Sequence, residues 1–127
     1  MTGQILVVLV EDNDVFRDAL ELLLGLRSEL NVIASVADGT DAARVVGELC
    51  PDVVLMDYRL PGLDGVQATR AVLEACPDTA VVCLTAEATP REREALMEAG
   101  AVGCLEKDEG LDAIVEAIHD AARTTAA

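Results

Sequence analysis

The sequence predicts an α/β fold, a single doubly wound sheet of five parallel strands with helices on both faces. Two observations lead to this expectation. Short apolar runs alternate five times with longer segments of helical periodicity. The apolar runs are also nearly continuous in Val, Leu and Ile, which is typical of parallel strands that are covered on both sides. A repeated strand–helix order with right-handed crossovers then gives the doubly wound arrangement.

The five predicted strands are the five apolar runs. They are ILVVLV (residues 5–10), NVIASVA (31–37), DVVLM (52–56), TAVVCL (79–84) and AVGCL (101–105). Aromatic side chains make up only 2% of the chain, so we expect these strands to build an aliphatic core.

Helix signals fall between the runs. The third predicted helix starts at Asp64, with Gln67 as its capping-box partner. The fourth starts at Thr89, followed by Pro90 at the first helical position and Glu92 closing the box. We expect this fourth helix to be the most easily displaced because its apolar face is small. The other predicted helices cover the apolar stripe 16–23, the segment 40–49 and the apolar stripe 111–118.

Length and charge limit the function. A chain of 127 residues is expected to form one domain, here residues 1–122, with 123–127 as a disordered tail or the start of a linker. A net charge of −15 disfavours contact with nucleic acid and with anionic membranes. The first residues contain neither a signal peptide nor a membrane span, so we expect a cytoplasmic protein.

The four cysteines show no zinc-binding spacing. Each lies in or beside an apolar run. We therefore expect all four to be small hydrophobic residues in a reducing compartment.

Polar residues follow four of the five strands, at the sheet edge where doubly wound folds place their sites. Glu11 and Asp12 follow the first strand, Asp57 the third, Thr85 the fourth and Lys107 the fifth. Three neighbouring carboxylates repel one another unless a cation is present, and carboxylates are natural ligands of Mg²⁺ or Mn²⁺. With a hydroxyl and an ammonium opposite, the pattern predicts a Mg²⁺-dependent phosphoryl site in which Asp57 is the nucleophile.

Four segments, VLVEDND, DVVLMDYRLPGLDG, VVCLTA and EAGAVGCLEKD, occur in this order along the whole chain. Together they resemble the receiver domain of bacterial two-component response regulators. Among receivers, these segments most resemble those attached to DNA-binding domains of the LuxR/NarL type. The resemblance implies a flavodoxin-like fold with strand order 2-1-3-4-5.

The resemblance also implies residue roles. Asp57 would accept a phosphoryl group from a sensor histidine kinase, Thr85 would hydrogen-bond that group, and Lys107 would pair with it. The implied metal ligands are Glu11, Asp12, Asp57 and the backbone carbonyl of Arg59.

The implied function is a signalling switch within a transcriptional regulator, and not an enzyme with a separate substrate. Its implied partners are the kinase and, after phosphorylation, a second copy of the chain. DNA would be reached only through an attached output domain, and no membrane is involved. Three alternatives stay open: a stand-alone receiver acting through protein contacts, an aspartyl-phosphate hydrolase of the haloacid dehalogenase kind, and a flavodoxin-like electron carrier.

The chain departs from the family's pattern at Cys104, three residues before Lys107, where the family usually has Tyr or Phe. A thiol offers no ring to turn inward on phosphorylation. We therefore expect a conformational change that is smaller or is read on another face.

Two further positions carry opposite charges at the mouth of the predicted site. Arg59 lies two residues after Asp57, and Glu87 lies two residues after Thr85. We expect these two side chains to approach each other and to restrict access of water. Lys107 is the only lysine among nine basic residues, which suits a crowded site that needs a compact, mobile charge.

Overall fold

A computed structural model describes the backbone of residues 3–126 and the side chains of residues 3–123. Its centre is a five-stranded parallel sheet in the order β2-β1-β3-β4-β5, as expected. The strands are β1 (Ile5–Val10), β2 (Leu30–Val36), β3 (Val53–Asp57), β4 (Ala80–Thr85) and β5 (Gly103–Glu106).

Five helices connect and cover the strands. They are α1 (Asp14–Gly25), α2 (Gly39–Leu49), α3 (Gly65–Ala75), α4 (Pro90–Ala99) and α5 (Leu111–Ala126). Neighbouring residues of a strand point to opposite faces, so Val7 and Leu9 of β1 pack against α1 and α5. Val8 and Val10 of the same strand pack on the other face, beneath α2, α3 and α4. Burial on both faces is why the strands are apolar without alternation.

The helix starts are set by local capping. Asp64 and Gln67 form the predicted capping box of α3, and Thr89 and Glu92 form that of α4. At the other end of α4, Gly100 adopts a left-handed conformation with φ of 115°. The capping chemistry therefore fixes the elements on either side of the predicted site.

Helix α4 is weakly anchored, as its sequence predicts. Leu96 is its one buried residue, while Ala95 and Ala99 are half-buried. Since little apolar area is lost when such a helix shifts, α4 is the element best suited to move.

Lys107 follows the last strand, as expected, and the last helix extends beyond its predicted apolar stripe 111–118. Strand β5 stops at Glu106, and Lys107 begins a short 3₁₀ turn that extends to Glu109. The helix α5 continues to Ala126 and so includes most of the expected tail 123–127, while Ala127 lies outside the described residues. Among the residues that the structure describes, no helix has both the length and the apolar character needed to cross a membrane.

The expectation for the cysteines was wrong for two of the four. Cys50 and Cys76 form a disulfide whose Cα atoms are 5.8 Å apart. Each residue caps the C-terminus of its helix, α2 or α3, and these helices are neighbours. Cys83 is buried and Cys104 half-buried, both as free thiols. The pairing depends on helix packing between positions 26 residues apart, so spacing alone does not reveal it.

Two glycines of α2 give a matched test of the packing beside the predicted site. A Cβ on Gly39 would lie 2.6 Å from the backbone oxygen of Leu63, in the loop after β3, whereas one on Gly47 would lie 3.5 Å from Ala75 Cβ. We expect Gly39→Ala to lower the free energy of unfolding by about 1–3 kcal/mol, because the loop must shift. Gly47→Ala should raise it by about 0.5–1 kcal/mol through helix propensity.

Urea denaturation of both variants, with the disulfide in the same state, measures this difference. Equal effects of the two substitutions would show that α2 does not pack tightly against the loop after β3.

Candidate functional site

Four strand ends converge as the sequence predicts. β1 leads directly into Glu11 and Asp12, β3 ends at Asp57, β4 ends at Thr85, and Lys107 follows β5. All five strands run in the same direction, so these residues share the carboxyl edge of the sheet. The topology thus gathers in one place the residues that lie up to 96 positions apart in the chain (Glu11 to Lys107).

The three predicted acidic ligands form a cluster. One carboxylate oxygen from each of Glu11, Asp12 and Asp57 lies within 4.8 Å of the others. Glu11 and Asp57 are buried, with 3% and 6% of their surface exposed, whereas Asp12 is exposed. The cluster therefore has a buried floor and an open side through which an ion or a phosphoryl donor can enter.

Lys107 closes the cluster from the β5 side. Its Nζ lies 2.7 Å from Glu11 Oε1 and 3.3 Å from Asp57 Oδ2. Burial acts to lower the pKa of Lys107, but the bonds to Glu11 and Asp57 outweigh it and the net shift is upward. The side chain is accordingly a permanent positive charge that holds two buried acids together.

One ammonium does not neutralise the cluster. Burial, together with the neighbouring Glu11, raises the pKa of Asp57 to about 6, although Lys107 and the backbone N–H of Arg59 act in the opposite direction. Asp57 is thus ionised at neutral pH at an electrostatic cost. Three oxygen ligands around an excess of negative charge fit a hard divalent cation, with waters completing its shell.

The first turn of α1 holds Glu11 in position. Glu11 Oε2 accepts a hydrogen bond from the backbone N–H of Asn13 at 3.0 Å, and Arg17 donates to the Glu11 carbonyl at 2.7 Å. Asn13 also caps α1 by accepting from the N–H of Phe16. The supporting role of Arg17 was not predicted, because the sequence does not show which way a helical arginine points.

A second residue of this turn was predicted only as part of the apolar stripe. The ring of Phe16 is half-buried, and its centroid lies 4.6 Å from Lys107 Nζ. This distance is typical of a cation–π contact. Phe16 therefore contacts the site lysine as well as the core.

Thr85 is buried at the end of β4 and bonded within its own loop. Its hydroxyl donates to the Glu87 carbonyl at 3.1 Å and accepts from the Glu87 N–H at 3.3 Å. The backbone N–H of Arg59 donates to Asp57 Oδ1 at 3.4 Å, which places the loop after β3 beside the acid. The metal-binding role of the Arg59 carbonyl stays a prediction.

The predicted partner of Arg59 was wrong. Arg59 Nη2 lies 3.7 Å from Glu92 Oε2 and not beside Glu87. Glu92 is half-buried at the start of α4, where its Oε1 accepts from the Thr89 N–H, so its second oxygen faces the loop after β3. Glu87 is exposed in the loop after β4, where its backbone groups bind Thr85. The capping box thus orients Glu92, and not Glu87, for the ion pair with Arg59.

Cys104 occupies the position on β5 where the family usually has an aromatic ring. It is half-buried, and burial raises the pKa of its thiol. Arg93 of α4 donates to the Cys104 carbonyl at 3.0 Å and lies 3.6 Å from Glu106 Oε2. Arg93 therefore links α4 to both the backbone and a side chain of β5, and no aromatic ring lies at position 104.

The fold and these side chains define a class: single-sheet α/β proteins whose carboxyl edge gathers acids, a hydroxyl and a lysine suited to a cation and a phosphoryl group. The chain belongs to the response regulator receiver domain family, whose family model matches residues 7–119. The hydrolase and electron-carrier alternatives are not needed to account for it.

Curated relatives are transcriptional regulators. The chain is 34% identical to the probable transcriptional regulatory protein NarL of Mycobacterium tuberculosis over 92% of this chain and 54% of the relative. It is 39% identical to the transcriptional regulatory protein LnrK of Bacillus subtilis, over 88% of this chain and 51% of the relative. The chain therefore spans about half the length of the curated relatives it matches.

Solved structures agree with this assignment. The signal receiver domain of the putative response regulator NarL from M. tuberculosis superposes with a TM-score of 0.91 at 34% identity, covering 96% of this chain and 98% of that one. The response regulator domain of Thermotoga maritima CheB gives 0.87 at 25% identity, covering 94% and 97%. The chain is thus a receiver domain similar to those of NarL-type regulators.

The raised pKa of Asp57 predicts a pH-dependent stability difference between the wild type and Asp57→Asn. Above a pH of about 6 Asp57 is ionised in the folded wild type. This ionisation costs more free energy than in the unfolded chain, where the pKa has its ordinary value of 3.8. Asp57→Asn should therefore raise the free energy of unfolding by about 1–3 kcal/mol at pH 7.5 without divalent ions. The gain should disappear as the pH falls through 6 towards 3.8.

Thermal or urea unfolding in EDTA at several pH values measures this gain. Mg²⁺ should stabilise the wild type and narrow the gap at pH 7.5, since it binds the folded acids. A gain that is constant with pH would contradict the electrostatic explanation.

Proposed function

We propose that this chain is the phosphoacceptor switch of a two-component system and that Asp57 accepts a phosphoryl group from a sensor histidine kinase. The observation that carries the proposal is the meeting of Asp57 with Glu11, Asp12 and Lys107 at one edge of the sheet. Membership of the receiver family supports it. In this proposal the reaction takes place in the cytoplasm, and the chain acts on no separate substrate.

The transfer makes one bond and breaks another. A carboxylate oxygen of Asp57 attacks the phosphorus of the donor's phosphohistidine, the P–N bond breaks, and the imidazole nitrogen keeps the electron pair and takes up a proton. The product is an acyl phosphate on Asp57. Because Asp57 is buried and its pKa is about 6, the attacking group at neutral pH is a poorly hydrated carboxylate.

The metal ligands in this proposal are Glu11, Asp12 and Asp57, with the backbone carbonyl of Arg59 as a fourth. Bound Mg²⁺ or Mn²⁺ supplies charge neutralisation for the phosphoryl oxygens and for the acids. The three carboxylates already converge within 4.8 Å, so these three side chains need little rearrangement.

Lys107 and Thr85 provide the remaining contacts. The Lys107 ammonium, now held between Glu11 and Asp57, moves onto a phosphoryl oxygen and compensates its charge. The Thr85 hydroxyl exchanges its bond to the Glu87 carbonyl for one to the phosphoryl group, which pulls the loop after β4 towards the site. This loop leads into α4, the helix with a single buried residue.

The relatives support a proposal about the output of this domain. Since the curated relatives are about twice as long and are transcriptional regulators, we infer that this domain controls an attached DNA-binding output. Its direct partners are then the kinase and, after phosphorylation, a second copy of the chain. The net charge of −15 supports contact with DNA only through that output domain.

Incubation with acetyl phosphate and Mg²⁺ tests the assignment of Asp57. Intact-mass spectrometry should show one added phosphoryl group, which EDTA prevents and Asp57→Asn abolishes. Asp64→Asn is the matched control, because it changes an acid in the same loop while Asn still caps α3. Full phosphorylation of Asp57→Asn would place the acceptor elsewhere.

A second prediction concerns the switch without a ring at position 104. Phosphorylation should shift the backbone amide signals of the loop after Thr85, of α4 and of β5 as far as Leu105, because Arg93 joins α4 to the Cys104 carbonyl. Amide spectra of the free and phosphorylated protein measure the extent. Lys107→Arg should keep the fold but reduce these shifts, since its planar group replaces a compact ammonium. Shifts confined to residues in contact with Asp57 would show that the switch does not reach α4.

A further inference from the structure

The ammonium of Lys107 is bound by two carboxylates. Its Nζ bonds Glu11 at 2.7 Å and Asp57 at 3.3 Å, yet 20% of the side chain is exposed. An ammonium on a flexible four-carbon stem in such a position can leave the site for water unless a further contact restrains it.

The ring of Phe16 is such a contact. Its centroid is 4.6 Å from Lys107 Nζ, and both residues line a groove of about 110 Å³ between α1 and the start of α5. Leu23, Gly110 and Leu111 are among the other residues of the groove, so its wall beside Lys107 is largely apolar. A ring face attracts a cation without fixing its direction, so it restrains Lys107 and still lets the ammonium slide.

The same turn of the chain positions both the Glu11 carboxylate and the Phe16 ring, which contact Lys107. Asn13 bonds the Glu11 carboxylate and caps the N–H of Phe16, and Arg17 bonds the Glu11 carbonyl. The carboxylate that attracts the ammonium and the ring beneath it are therefore held as one unit, five residues apart.

We infer that Phe16 is a positioning residue for phosphoryl transfer. Its ring holds the Lys107 ammonium in place between Glu11 and Asp57. This inference rests on the proposed function, since Lys107 must reach the phosphoryl oxygens. Replacing the ring by an aliphatic side chain of similar volume keeps the apolar packing and removes the restraint. Phe16→Leu should then slow phosphorylation by acetyl phosphate about three- to ten-fold, and Phe16→Tyr, which keeps a ring, should stay within two-fold of the wild type.

A double-mutant cycle separates positioning from general packing. In a Lys107→Ala background Phe16→Leu should have no further effect on the rate, because there is no ammonium left to position. Leu23→Ala is the matched control, since it opens the same groove without removing the ring and should leave the rate unchanged. The inference is overturned if Phe16→Leu matches the wild type, or if it slows the Lys107→Ala variant by the same factor.

The contact itself has a spectroscopic signature that does not depend on phosphorylation. The chain has one lysine and one phenylalanine, so isotope labelling of these two residue types gives one unambiguous pair of signals. Cross-relaxation between the Phe16 ring and the Lys107 ε-methylene, and an upfield ring-current shift that Phe16→Leu abolishes, should both appear. Their absence overturns the inference. If the wild type shows both signals but accepts no phosphoryl group, the proposed function is wrong, and with it the role of Phe16 in transfer.

Discussion

The ammonium of Lys107 lies between two buried carboxylates, Glu11 and Asp57, and the organisation of the site depends on this bridge. The ends of β1 and β3 carry three acids and the end of β5 carries one cation, so the edge holds more negative than positive charge. The cost is visible in the raised pKa of Asp57, which burial and Glu11 produce and Lys107 only moderates. A site with this imbalance favours binding of a divalent cation, and burial leaves the Asp57 carboxylate poorly hydrated.

The rest of the fold keeps these charges in register. An aliphatic core on both faces of the sheet fixes β1 beside β3, which sets the acids side by side. The first turn of α1 then orients Glu11 through Asn13 and Arg17. On the opposite face, Gly39 of α2 packs against Leu63 and so supports the loop that follows Asp57. Rigid support is concentrated on the strands β1 and β3 that carry the acids.

The β4–α4–β5 side is built differently. The Thr85 hydroxyl bonds the backbone of Glu87 in the loop that follows it. Helix α4 has Leu96 as its one buried residue, with polar contacts from Arg93 and Glu92. Cys104 leaves this side without the ring that the family usually has. Polar contacts near the surface are individually weak, so they can be exchanged at low cost when a phosphoryl group arrives. The disulfide between Cys50 and Cys76 joins the C-terminal ends of α2 and α3 and does not include α4, the element that is expected to move.

Local signals in the sequence determined much of this protein. Continuous apolar runs specified buried parallel strands, and short-range chemistry specified the helix starts at Asp64 and Thr89, because capping partners lie three residues apart. Residues at strand ends were also predictable, since parallel strands bring their carboxyl ends to one edge. The family resemblance supplied the strand order.

Only the tertiary structure decided contacts between side chains that are distant in sequence. It paired Arg59 with Glu92, joined Cys50 to Cys76, and placed Phe16 beneath Lys107. Each of these depends on the direction of a side chain after helices and loops have packed on the sheet. Hydrophobic periodicity fixes which face of an element is buried, but the position of one particular side chain against another is set by packing.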